Sequence, residues 1–161
     1  MANLKLEIQQ TPPFSSIEEE ALLNLLRTSD CLSRAVQQKI RDSGLTATQY
    51  NVLRILRGAH PAGLPCAAIG ERMITADPDI TRLLGRLKRL RLVRQHRDRR
   101  DRRVVLTQIT ESGLETLHAM DPAVRSGPKE ILGHMRRAEL TALIELLERA
   151  RQHCAGEPLS S

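Results

Sequence analysis

A stretch of 22 residues constrains this chain more than any other feature. Between Arg82 and Arg103 stand eleven basic side chains (Arg82, Arg86, Lys88, Arg89, Arg91, Arg94, Arg97, Arg99, Arg100, Arg102, Arg103) and two acidic ones, Asp98 and Asp101, a balance of +9. The whole chain, with 25 Lys and Arg against 19 Asp and Glu, carries only +6, so the remainder is a mildly acidic body of net −3. A charge run is ordinarily a solvated helix face. At this density, however, self-repulsion destabilises the fold unless a polyanion compensates it, which points to a nucleic-acid footprint. Phe14 and Tyr50 are the only aromatics, which argues against binding modes that stack unpaired bases on aromatic platforms.

The length of 161 residues and the apolar share of 40% suit one domain with one core, able to bury roughly 70% of its unfolded surface. No run approaches the ~18 apolar residues of a membrane span, and Met1-Ala2-Asn3-Leu4-Lys5 lacks the order of a signal peptide, so a cytoplasmic protein with no membrane partner is expected. Cys31, Cys66 and Cys154 are odd in number and far apart, which excludes a disulfide framework and paired zinc spacing. His60, His96, His118, His134 and His153 show no ligand pairing either, so no metal is expected. No glycine-rich phosphate loop, nucleophile elbow or nucleophile–base pair marks an enzyme.

The chain reads mostly as helix. Residues 1–15 form an extended arm containing Thr11-Pro12-Pro13-Phe14. Ser16 and Glu19 make a capping box, and Leu22, Leu25, Leu32, Val36 and Ile40 form the stripe of a long amphipathic helix ending near Ser43-Gly44. Thr46 and Gln49 make a second box, with Leu45 and Tyr50 as an apolar staple, for a helix whose Val52, Leu53, Ile55 and Leu56 face inward and which Gly58 stops. A short helix is expected over about Pro65–Met73. The next has Asp77 as N-cap, Pro78 as first helical residue, and Ile80, Leu83, Leu84, Leu87 and Leu90 on one apolar face.

The opposite face of that helix presents Thr81, Arg82, Gly85, Arg86 and Arg89, so it can enter a groove and set Arg forks against base edges. A short helix, a turn and this helix make a helix-turn-helix. The hydrophobic period then changes to two. Leu92–Arg97 and Arg103–Ile109 read as strands, and the polar stretch 98–102 reads as a hairpin tip, a wing whose arginines should lie beside the recognition helix.

Three segments in this order resemble the MarR-type (multiple antibiotic resistance regulator) winged-helix transcription regulators. They are Leu45-Thr46-x-x-Gln49-Tyr50-x-Val52-Leu53, then Ile80-Thr81-Arg82-Leu83-Leu84-x-Arg86-Leu87, and the run from Asp101 through Val104, Val105, Leu106, Ile109 and Thr110 to Gly113. The resemblance covers roughly residues 17–155. It implies a mainly α fold with a small β-wing: a winged helix-turn-helix head at about 46–109 within a single domain of 16–155, dimerisation helices at about 16–43 and 110–155, and a flexible tail at 156–161. It also implies that Pro78, Asp79, Thr81, Arg82 and Arg86 lie at the major groove of double-stranded DNA, and that the wing arginine Arg103, braced by Asp101, reaches the minor groove. Arg99, Arg100 and Arg102 suit phosphate contacts, and Arg89 and Arg91 could simply be solvated. Asp77 and Asp79 are also natural helix caps.

A homodimer is likewise implied. Leu140, Leu143, Ile144, Leu147 and Ala150 form a stripe on the last helix that could serve either a partner or the chain's own core, and Pro13 and Phe14 could cross to the partner subunit. No cofactor is required, and a small aromatic or lipophilic effector is in keeping with the resemblance. Cys31, next to Leu32, is expected to be a buried apolar thiol, whereas Cys66 stands near a helix start. The reading is therefore a sequence-specific, ligand-responsive repressor acting as a homodimer on a pseudo-palindromic operator. A non-sequence-specific architectural DNA-binding protein is the alternative.

Overall fold

In the computed structural model, which describes residues 3–152, the head is built around two capped helices and a three-stranded sheet. Ser16 caps α2 (Ile17–Ile40) by accepting the Glu19 N–H, while the Glu19 carboxylate turns back to the Ser15 N–H at 2.6 Å. A 3-10 turn, Arg41–Ser43, follows. Both halves of the second capping box are present at the start of α3 (Ala47–Gly58): Thr46 accepts the Gln49 N–H, and Gln49 accepts the Thr46 N–H. Leu45 and Tyr50, at the staple positions, are both buried. Val52, Leu53 and Leu56 are fully buried, with Ile55 half-buried beside them.

The core joins these residues to Ile69 of α4 (Cys66–Gly70), to Leu83, Leu84 and Leu87 of α5 (Ile80–Arg89), to Val93 of β2 (Val93–Arg97) and to Ile109 of β3 (Val105–Ile109). Leu117 and Met120 of α6 (Glu111–Leu132) complete it. Strand β3 lies centrally and antiparallel to both neighbours. Val93 pairs with Ile109 and Arg97 with Val105 on one side, and Leu64 pairs with Thr107 on the other. Among the described residues, no buried side-chain nitrogen or oxygen lacks a partner.

Several expectations are corrected here. The arm is not wholly extended, because Asn3 caps a single helical turn, α1 (Leu4–Glu7), whose Leu4 is buried. Leu64–Pro65 forms a strand, β1, so the wing is the outer part of a three-stranded sheet and α4 is shorter than the expected Pro65–Met73 helix. Helix α5 begins at Ile80, two residues later than expected, with Asp79 as N-cap accepting the Arg82 N–H at 3.1 Å. Asp77 cannot take that role because Asp79 would then be a helical residue, and its backbone (φ −125°, ψ 55°) is not helical. Asp77 closes a turn instead by accepting the Asp79 N–H.

Leu90, expected on the apolar face, is 53% exposed. The helix has already ended at Arg89, and Arg91 takes a left-handed conformation (φ 59°). The Arg91 N–H then donates to the Lys88 carbonyl and the Leu92 N–H to the Leu87 carbonyl. This pair of reversed bonds swings Leu92 and Val93 into the core in place of Leu90. Strand β3 starts at Val105 rather than Arg103, because the Val104 N–H is taken up in a turn by the Asp101 carbonyl.

Helix α6 runs past Val124, where the apolar pattern weakens, through Pro122 and Pro128 to Leu132. Each proline withholds one N–H from the helical ladder, which leaves enough rungs for the helix to continue. Cys31 is exposed rather than buried, since most of α2 presents its side chains to solvent. The segment 153–161, with Cys154, the end of the expected last helix and the expected tail, lies outside the described residues.

The chain divides into two compact units between Val124 and Arg125. In the second unit, Glu139 reaches back to the Arg136 N–H and guanidinium at the start of α7 (Arg137–Gln152). This charge-assisted contact lowers the Glu139 pKa. Along α7, Leu140, Leu143 and Leu147 are half-buried, whereas Ile144 and Leu146 are exposed. No helix among the described residues is long and apolar enough to cross a membrane.

Candidate nucleic-acid interface

The basic segment is held by short-range contacts that leave its guanidinium groups outside. On α5, the leucines turn inward, while Thr81, Arg82, Arg86, Lys88 and Arg89 are exposed. Asp79 both caps this helix and pairs with Arg82, with Arg82 Nε 3.8 Å from its carboxylate. Pro78 and Asp79 therefore lie in the exposed turn that precedes the helix, and not in its first turn. The Asn51 side chain accepts the Ile74 N–H at 3.0 Å and so ties the loop between α4 and α5 to α3. Sequence pattern gave no hint of this bond, because an exposed-type residue on a helix carries no period.

At the wing tip, two aspartates organise the arginines. Asp98 accepts the Arg100 N–H, and Asp101 accepts both the Arg103 N–H (3.0 Å) and its Nε (3.2 Å). The Arg103 Nη2 donates to the second Asp101 oxygen at 3.4 Å, so one edge of the guanidinium is held by the carboxylate, while the side chain as a whole stays 91% exposed. Arg103 also holds the Asp101 carboxyl below the ordinary Asp range. A depressed carboxyl pKa means the brace is complete above the ordinary value and is lost only as pH falls through the lowered one, well below neutrality. Arg97 donates to the Arg102 carbonyl at 2.8 Å. Arg97, Asp98, Arg99 and Arg102 line an open cleft of about 590 Å³. Arg94 donates to Gln108, which in turn donates to the Pro61 and Ala62 carbonyls.

The joint between α5, the wing and α6 is built on one threonine. The Thr110 hydroxyl donates to the Arg91 carbonyl at 2.7 Å and accepts the Gly113 N–H at 3.1 Å, while its own N–H donates to the Leu92 carbonyl. A Cβ on Gly113 would run into the Leu92 carbonyl and the Ile109 side chain. The Ile109-Thr110-x-x-Gly113 spacing is thus a construction in which one hydroxyl caps a helix and a missing side chain lets two backbones touch.

The sequence profile of the MarR family matches residues 43–104. A MarR transcription factor from Planctomyces limnophilus is 39% identical, with a TM-score of 0.64 over 84% of this chain and 98% of that one. The chain belongs to the MarR family. MarR proteins are DNA-binding transcription regulators with a winged helix-turn-helix, and the family is not one of enzymes. The curated HTH-type transcriptional regulator MhqR of Bacillus subtilis is 27% identical over 78% of this chain and 85% of its own length. BpsR of Bordetella bronchiseptica, whose DNA binding is regulated by 6-hydroxynicotinic acid, is 27% identical, with a TM-score of 0.72 over 83% of this chain and all of that one. The MarR fold accounts for the order of elements found here, including the N- and C-terminal helices that flank the head.

Proposed function

We propose that this MarR-family protein is a cytoplasmic, sequence-specific repressor that binds a pseudo-palindromic operator as a homodimer and releases it when a small aromatic or lipophilic effector binds. The observation that carries the reading is the division of α5: Leu83, Leu84 and Leu87 are buried while Thr81, Arg82 and Arg86 are exposed. These exposed side chains, with Pro78 and Asp79 ahead of them, enter the major groove, where a guanidinium can fork onto guanine. Arg103 reaches the minor groove from the Asp101 brace. Arg99, Arg100 and Arg102 neutralise phosphates without reading sequence.

Dimerisation is supported by apolar surface that the single chain leaves open: Leu22, Leu25, Leu26 and Val36 on α2, and Ile144 and Leu146 on α7, are exposed. Of the expected dimerisation residues, Ile144 is exposed, and Leu140, Leu143 and Leu147 are half-buried. Effector release is supported by the relative that responds to 6-hydroxynicotinic acid.

The test pairs two substitutions on a duplex enriched from genomic fragments by binding-site selection. Arg82→Ala should weaken the selected duplex by about 1–3 kcal/mol and relax preference at one base position. Arg100→Ala should weaken selected and random duplexes alike and lower the salt slope by about one. Equal losses on both duplexes for Arg82→Ala, or a shift of DNA only as a monomer in a sizing column, would count against this function and favour an architectural role. Half-sites should lie ~10 bp apart.

A further inference from the structure

Glycine is among the poorest residues for a helix interior, yet Gly85 occupies the middle of the ten-residue α5. Nothing inside the chain requires it. Beyond the helix's own backbone and its chain neighbours, a Cβ built on Gly85 meets no atom within 4 Å. Gly113 is the opposite case, where a Cβ collides with Leu92 and Ile109. Gly85 stands one turn after Thr81 and between Arg82 and Arg86, all three of them exposed. Gly85, itself half-buried, is therefore a place on the outward face where no side chain covers the helix backbone, with Arg82 and Arg86 as its neighbours there.

We infer that Gly85 is a specificity-determining residue: it is where the α5 backbone lies closest to the base edges of the major groove, and its missing side chain lets Arg82 and Arg86 reach their bases. The inference rests on the proposed placement of α5 in the groove. The stability that glycine forgoes has no counterpart in the folded chain, and a closely approaching partner supplies one. A methyl at this point would hold the helix away from the duplex and lengthen every base contact around it. Contacts to phosphate, made through long side chains at the wing, would adjust.

The Gly85→Ala protein provides the test, with two readouts of opposite sign. Without DNA its Tm should rise by about 2–4 °C, because a better helix former enters open space. Its affinity for the selected duplex should fall about tenfold or more, while affinity for a random duplex changes less than about twofold. A fall in Tm, or a rise with the selected-duplex affinity unchanged, would overturn the inference. Arg86→Ala, measured alongside, separates this failure from that of the underlying reading. If Arg86→Ala loses the selected duplex and Gly85→Ala does not, only the close approach is wrong; if neither does, α5 is not the reading helix.

Discussion

Leu84→Asp should leave the head without a cooperative melting transition at neutral pH. Leu84 is 1% exposed and belongs to the core shared with Val52, Leu53, Leu56, Ile69 and Leu87. Removing a buried leucine costs about 2–5 kcal/mol in lost transfer energy and cavity. The incoming carboxylate then either stays charged in an apolar interior, at several kcal/mol, or takes up a proton against the solution pH. The sum rivals the whole stability of a domain, about 5–15 kcal/mol. Leu90→Asp is the control in the same helix region, since the exposed Leu90 has little burial to lose. Circular dichroism melts of the two proteins decide the point. A Leu84→Asp melt within a few degrees of the unchanged protein would mean that α5 does not form its core contacts in solution.

Gly113→Ala is expected to destabilise by about 1–3 kcal/mol, which for a chain of this size lowers Tm by roughly 2–12 °C. The added methyl has no free space, because the Leu92 carbonyl is fixed by the Thr110 N–H and the Ile109 side chain is itself buried. Relief requires α6 to move off the β2–β3 hairpin, which also loosens the Thr110 hydroxyl from the Arg91 carbonyl. DNA affinity should fall along with stability. The same chemical change at Gly85 is expected to raise Tm, so the pair measured together tests whether local space or glycine itself sets the sign. A Gly113→Ala protein as stable as the original would remove the close approach from the account of this joint.

Legibility in the sequence followed the range of the interaction. Capping pairs three residues apart, such as Thr46 with Gln49, and the leucine period of α5 are local signals, and the structure has them where the residues stand. The Asp77-Pro78-Asp79 run misled because both aspartates sit three residues ahead of an N–H they could accept, and only the backbone angles at Asp79 decide between them. Leu90 misled because a left-handed Arg91 ends the helical period one residue before the pattern does. Strand β1 was invisible: two residues, one of them proline, have no alternation to read, and their pairing with Leu106 and Thr107 is a long-range choice. The expected burial of Cys31 followed from its place beside Leu32, but within one chain Leu22, Leu25 and Val36 of that stripe stay exposed, and only its end, at Ile40, enters the core. At the site, charge and exposure were foreseeable from composition. The carbonyls and N–H groups that Asp98, Asp101 and Thr110 hold were not, since each depends on how a loop closes.

The Thr110 joint carries an implication for how such a protein changes its target. The atoms that lock α5 to the hairpin and to α6 are main-chain groups, one hydroxyl and one absent side chain. None belongs to the outward positions 81, 82 and 86. On the reading proposed above, exchanging those three would change which bases are favoured without touching the Thr110 joint, although Arg82 also gives up its ion pair with Asp79.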